Sequence, residues 1–303
     1  MIKKISFNNK NLSDLLITKP KNLILEKVAH TIYNYDYINI FPKPQIKTYK
    51  IDINLYNESF DHINKNYKYE LKNNQLFKYR SSKKIFKLIS WNMHKGMDPN
   101  WRTTLYNLSK ESDFILLQEV FENNKLQTFQ FLSEFKIIHT GSFEKKGFLS
   151  GIMSLSRYNP TTFYINSQVE PWILVPKMGM ILKYNINNQN ILIVNLHLIN
   201  FEMKLVRFKK QLEDIFNILT NSKDPIIIVG DLNSWNGFRL KLLDSYLKRE
   251  NLIRVSFNPD NRSTFLNKPL DHIYAKGIRI INSKSYKVNS SDHNPLEISF
   301  EII

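Results

Sequence analysis

Six short polar clusters in this sequence carry side chains able to do chemistry, and each closes an apolar run. They are Trp91-Asn92-Met93-His94-Lys95-Gly96, Leu117-Gln118-Glu119-Val120, Asn195-Leu196-His197-Leu198-Ile199-Asn200, Gly230-Asp231-Leu232-Asn233-Ser234, Leu270-Asp271-His272-Ile273-Tyr274 and Ser291-Asp292-His293-Asn294-Pro295. Carboxylates and carboxamides supply oxygen to a hard cation, and imidazoles and aspartates move protons. Polar groups that close apolar strands point to the rim of a sheet, where several strands can converge on one site. Taken singly, each cluster has a plainer reading. An Asp after a strand usually caps a turn or a helix. A Gln-Glu pair at a strand end is usually solvated, and a lone His beside an apolar run is more often a hydrogen-bonded core residue. The set and its order carry the functional reading.

The elements that must position these clusters show in the hydrophobic pattern. Short runs rich in Ile, Leu and Val predict buried strands at Phe86–Trp91, Phe114–Val120, Gly151–Ser156, Met178–Tyr184, Ile191–Leu198, Ile226–Asp231, Leu270–Tyr274 and Leu296–Phe300. Amphipathic spacing predicts helices at Trp101–Ser112, Phe121–Phe135, Phe201–Asn221 and Phe238–Glu250, with another at Asn22–Tyr35. Many strands and few helices, in mixed order, predict sheet packed on sheet with helices outside.

Composition divides the chain. All eight glycines lie at Gly96 or later. The first 85 residues carry 16 Lys/Arg against 7 Asp/Glu and 8 of the 15 tyrosines. We therefore expect a basic, Tyr/Asn/Lys-rich extension over residues 1–85 and a catalytic domain over 86–303. Within the extension, Tyr67, Tyr69 and Leu71 alternate before Asn73-Asn74, which predicts a short hairpin. The formal net charge of +16 attracts phosphate-bearing partners, although an AT-rich coding bias toward Lys, Asn and Ile accounts for it equally well. With no cysteine, disulfides, thiolate zinc sites and cysteine nucleophiles are excluded. No apolar run reaches the roughly 18–20 residues of a membrane span. MIKKISFNNK has no apolar stretch behind its lysines, so no integral membrane association is expected and cytoplasmic residence is the default.

The clusters, in their order, resemble the endonuclease/exonuclease/phosphatase superfamily, which includes deoxyribonuclease-I-like nucleases, apurinic endonucleases, neutral sphingomyelinases and inositol-polyphosphate 5-phosphatases. The resemblance runs from about residue 86 to 301. WNMHKG, LLQEV, SGIMSLS, VNLHLINF, GDLNSW, LDHIY and SDHNPL look most like an uncharacterised intracellular bacterial subgroup. The resemblance implies a four-layer α/β sandwich, with two mixed sheets face to face and helices outside.

It also implies a mechanism. Cleaving a phosphodiester needs a hard cation, an activated water and donors for the charge that develops on oxygen. Matching the family's positions, Glu119, Asn92 and Asp292 are the expected ligands of Mg²⁺, for which Mn²⁺ could substitute. Asp231 would orient or deprotonate water, and Asn233, two residues on and facing the same way on an extended segment, would bond the phosphate. His293 would contact a phosphate oxygen or transfer a proton, with Asp271 fixing its tautomer. Which of Asp231 and His293 is the general base stays open. His197 would donate to the phosphate or the leaving oxygen, with Asn200 binding substrate. His94 and His272 match no functional position and are read as structural. Arg157 and Lys177 flank loops over the site and could bind phosphate, but are read as surface residues.

Val120-Phe121 stands where apurinic endonucleases continue with Thr-Lys, and His197 where they usually carry Tyr. No disulfides, leader, apolar docking hairpin or inositol-phosphatase motif follows. The leading expectation is a Mg-dependent phosphodiester hydrolase acting on nucleic acid. The alternative is a phospholipid or inositol-phosphate phosphohydrolase. A non-catalytic binding protein is disfavoured, because it would need neither the carboxylate nor both Asp–His partners.

Overall fold

The computed structural model describes residues 39–49, 59–61, 66–70, 83–123, 127–220 and 222–303. Its strands, in chain order, are β1 (Asn39–Tyr49), β2 (Ser59–Asp61), β3 (Asn66–Glu70), β4 (Phe86–Asn92), β5 (Phe114–Asn123), β6 (Lys136–Lys145), β7 (Phe148–Ser156), β8 (Thr162–Val169) and β9 (Pro176–Ile186). The second half adds β10 (Gln189–His197), β11 (Ile226–Asp231), β12 (Ile253–Arg254), β13 (Thr264–Phe265), β14 (Lys268–Pro269), β15 (Asp271–Lys276), β16 (Ile278–Ser285) and β17 (Leu296–Ile302). The helices are α1 (Trp101–Ser109), α2 (Val206–Leu219) and α3 (Gly237–Arg249).

Two mixed sheets result. One has the order β1-β6-β7-β5-β4-β17-β16, the other β12-β15-β11-β10-β9-β8-β3-β2. Alternate residues explain the layers. On β4, Leu88 joins a core with Phe114, Leu116, Ile298, Ile193 and Val229 from both sheets, while Ile89 and Trp91 face outward onto Leu105 of α1 and Phe129. On the second sheet, Val194, Leu196 and Ile228 face outward onto Phe208, Leu212 and Ile215 of α2. Strands covered on both faces read as continuous apolar runs, which is why they were visible in the sequence. Each such Leu or Ile contributes roughly 1.5–3 kcal/mol by leaving water. The expected four-layer α/β sandwich is the observed fold.

Two parallel pairs place the site. The β4–α1–β5 crossover sets Asn92 beside Gln118, and β10–α2–β11 sets His197 beside Asp231. β15 runs antiparallel to β11 and sets Asp271 opposite Asp231. Gly230 permits this closeness, because a Cβ there would meet the Leu196 carbonyl oxygen at 1.9 Å.

All eight expected strands are present, β11 with the expected bounds and the others with shifted ends. The helix expected at Phe121–Phe135 is not: Phe121 to Asn123 continue β5, and a 3₁₀ segment covers Gln127–Leu132. Pairing of Phe121 with Ser150, and a ring stack of Phe121 on Phe148 at 5.2 Å, override the helical spacing. The hydrophobic pattern predicts no strand at β1, β2, β6, β8, β12, β13, β14 or β16. β1 pairs with β6, and β3 pairs with β8, so described segments N-terminal to residue 85 edge both sheets. Tyr67 and Tyr69 lie on β3, whose hairpin partner is β2 before it. The Asn73-Asn74 turn and the helix at Asn22–Tyr35 fall outside the described residues. Among those residues, no helix is long and apolar enough to cross a membrane.

Candidate active site

β5 delivers Glu119 through a distortion. Its register with β7 shifts between Leu117 and Val120, and Glu119 takes a left-handed φ of 51°. A bulge of this kind re-aims a side chain, and the strained backbone needs surrounding structure to hold it. Gln118, fully buried, provides such a hold: its Nε2 donates to Asn195 Oδ1 at 2.7 Å, and Asn195 Nδ2 donates to the carbonyls of Leu117 and Met153. This amide pair bolts the two sheets together behind the site.

Glu119 faces three nitrogen groups. Lys95 Nζ donates to its Oε2 at 2.7 Å, while Lys177 Nζ and His197 Nε2 lie 3.9 and 3.8 Å from its Oε1. Burial works against the charge, but the ammoniums of Lys95 and Lys177 hold the carboxyl well below the usual carboxylate range. Burial, with Lys177 beside it, keeps the His197 imidazole neutral.

Asp231 joins the two sheets. Asn92 Nδ2 donates to its Oδ2 at 3.1 Å, and the Asn233 backbone N–H donates to its Oδ1 at 3.1 Å. His197 Nε2 and His293 Nε2 lie 3.5 and 3.9 Å from its Oδ2. Burial, then repulsion from Asp271 and Glu119, raises its pKa despite His293. His293 Nδ1 donates to Asp271 Oδ2 at 2.6 Å. Burial disfavours the imidazolium, but Asp271, Asp231 and Asp292 outweigh it and raise the pKa to about 10.

The other expected residues are placed differently. Asn233 has a φ of 47°, so its side chain leaves the face of Asp231 and donates to the Leu198 carbonyl at 2.9 Å. Asn200 accepts from Trp235 Nε1 at 2.8 Å. Asp292 is 57% exposed at the cleft mouth, 3.9 Å from His94 Nδ1. Asn92 Oδ1 accepts from the His94 N–H. His272 is buried against Ser234 Oγ at 2.7 Å. Arg157 binds the Ser112 carbonyl and Glu134, away from the cleft.

Residues with no expected role complete the site. Arg239, fully buried, donates to the carbonyls of Ile199, Asn200, Glu202 and Asn233, and its guanidinium lies over the rings of Phe208 and Trp235. Glu170 accepts from the N–H groups of Asn200 and Phe201. Glu202 accepts from Arg207 and Phe208 and so caps α2. No periodicity marks any of them. A cleft of about 430 Å³ opens over His94, Lys95, Glu119, Lys177, His197 and Asp292.

The chemistry of the Glu119, Asn92 and Asp292 oxygens suits a divalent cation. The oxygens are hard, the mouth is open to water, and a positive group already sits there: Lys95 bonds Glu119 and also feels the charge of Asp292. Among the described residues, no group of three or more His, Asp or Glu converges in ligating geometry.

The model of the Endonuclease/Exonuclease/phosphatase family matches residues 89–293, which span every residue discussed above as part of the site. The chain belongs to this family. Family members are generally hydrolases of phosphoester bonds, work with divalent metals, and include nucleases and phosphodiesterases. A UPF0294 protein of Vibrio cholerae serotype O1 is 33% identical over 218 residues, covering 71% of this chain and 78% of that protein. Among solved structures of the fold, the endonuclease/exonuclease/phosphatase from Bacteroides vulgatus has a TM-score of 0.57 at 14% identity, over 73% of this chain and all of that one. Danio rerio TDP2 complexed with single strand DNA product has a TM-score of 0.51 at 15% identity, over 72% of this chain and all of that one.

Proposed function

We propose that the chain is a Mg²⁺-dependent phosphodiester hydrolase acting on nucleic acid, with its catalytic domain in residues 86–303 and residues 1–85 as an extension. Cytoplasmic residence is part of the proposal. The observation that carries it is the alignment of His197, Asp231 and Asp271 across three neighbouring strands, with Asn92 of the other sheet bonded to Asp231. Glu119 and Asp292, with Asn92, would hold the ion. When bound, it would polarise a phosphoryl oxygen and offset charge in the transition state.

The chain's own groups divide the remaining work. Asp231, with its raised pKa, suits a base that takes a proton from water near neutral pH. Asn92 and the Asn233 N–H hold that carboxylate in one orientation. The His293 imidazolium, fixed through Nδ1 by Asp271, presents Nε2–H to a phosphoryl oxygen. An amide nitrogen has two hydrogens, so Asn233 keeps one for phosphate after bonding Leu198. The net charge of +16 and the single-stranded DNA complex of TDP2 support nucleic acid as the partner.

A Mg²⁺-dependent plasmid-nicking assay, run beside phosphatase and sphingomyelinase panels, tests the proposal. Glu119→Ala and His293→Ala should each lose activity on the best substrate, and full activity in both would refute the site. Nucleic-acid binding should weaken steeply with salt.

One observation favours the second reading, a phospholipid or inositol-phosphate ester. Phe121, Phe143, Ile173, Val175 and Phe201 wall the cleft, and Trp172 and Leu174 beside Ile173 are exposed. A preference of the panel for sphingomyelin over DNA would select it.

A further inference from the structure

Lys177 stands at the start of β9 with its ammonium inside the cleft and its side chain only 13% exposed. Nζ lies 2.8 Å from His197 Nε2, and 3.9 Å from both Glu119 Oε1 and Glu170 Oε2. An ammonium has three hydrogens and no lone pair, so Lys177 donates and His197 Nε2 accepts. The imidazole proton is then on Nδ1. In this arrangement His197 cannot offer Nε2–H to a phosphate oxygen, the role its position implied. The donor at this point of the cleft is Lys177.

Its partners differ from those of a structural ion pair. Lys95 meets Glu119 at 2.7 Å, whereas Lys177 stays beyond hydrogen-bond distance from both carboxylates and bonds a neutral nitrogen. Glu170 Oε1 is taken by the Asn200 and Phe201 N–H groups, and its buried Oε2 has no hydrogen-bond partner. The carboxylates thus fix the ammonium by longer-range attraction and leave hydrogens for an anion. We propose that Lys177 is a ligand of the substrate's phosphate, held in place by neutral His197 and by Glu170. This rests on the phosphodiesterase reading above.

The test uses the full chain with two probes: inorganic phosphate binding by calorimetry in EDTA, and Mg²⁺-dependent hydrolysis of bis-p-nitrophenyl phosphate. Lys177→Met should weaken phosphate binding and raise KM by roughly tenfold or more, and Lys177→Arg should retain most of both. Lys177→Gln gives the same reading should the methionine variant fail to fold. Wild-type affinity and KM in Lys177→Met, or no phosphate binding by the wild-type protein, overturns the proposal. Phosphate binding that depends on Lys177 without hydrolysis of any diester upholds the anion ligand and refutes the hydrolase reading.

Discussion

His293 and Asp271 stand 22 residues apart in the chain and share a hydrogen bond of 2.6 Å between Nδ1 and Oδ2. Burial works against a charged imidazole here, and the Asp271 carboxylate reverses the outcome to a pKa of about 10. The folded value exceeds the unfolded one, so the protonated pair stabilises the fold fully below about pH 6.5. That contribution is lost as pH rises through about 10. Asp271→Asn should lower the His293 pKa, read from the imidazole signals in an NMR titration, and cut turnover roughly a hundredfold. An unchanged titration would show that Asp271 does not set this proton.

His139 and His272 behave in the opposite sense. Burial lowers both to about 3, helped by Lys47 at His139 and by Arg262 at His272. Each stays neutral in the fold and takes a proton when unfolded. Stability should therefore fall as pH drops from about 6.5 toward 3, by about 1.4 kcal/mol per pH unit for each histidine. Urea midpoints at pH 7 and pH 4.5 measure this, and the gap should narrow in His139→Gln.

Lys95 competes with a divalent ion for Glu119. Removing that ammonium in Lys95→Met should tighten Mg²⁺ binding by roughly tenfold, measured by calorimetry. Weaker binding would mean that Lys95 supports the ion instead of displacing it.

Arg239 holds four carbonyls from the two loops that carry Asn200 and Asn233. Its loss leaves buried acceptors without partners, so Arg239→Met should cost about 3 kcal/mol or more in denaturant unfolding. Hydrogen exchange should speed up at residues 199–202. Lysine has no planar fork, so Arg239→Lys should recover only part of this loss. Full recovery by lysine would show that charge alone suffices.

The edge strands give a fifth expectation. Tyr69 is buried and stacks on Phe163 at 4.9 Å, within the β3–β8 pair. Removing residues 1–82 should lower the melting temperature and expose the edges of β6 and β8 to association. Turnover of a small diester per folded molecule should persist, because the site residues lie between Asn92 and His293. A well-folded truncation without that turnover would place part of the site in the extension.

Much of this fold is local information. An apolar run closed by a polar cluster is written in consecutive residues, so all eight core strands and the residues at their ends could be read from the chain. Strands toward the margins of the sheets, β1, β6 and β16 in one and β8 and β12 in the other, carry weaker patterns and are not legible in the sequence. The helical spacing of residues 121–135 gave way to pairing with β7, which no local rule contains. Contacts across the cleft belong to the tertiary structure alone. The left-handed turn at Glu119, the opposed placements of Lys95 and Lys177, and the Arg239 clasp each join groups that lie far apart in the chain. The residue types and their order determined the family, whose members are generally hydrolases of phosphoester bonds. The packing decided which donor faces which acceptor, because Coulomb and hydrogen-bond energies depend on distances that sequence spacing does not encode.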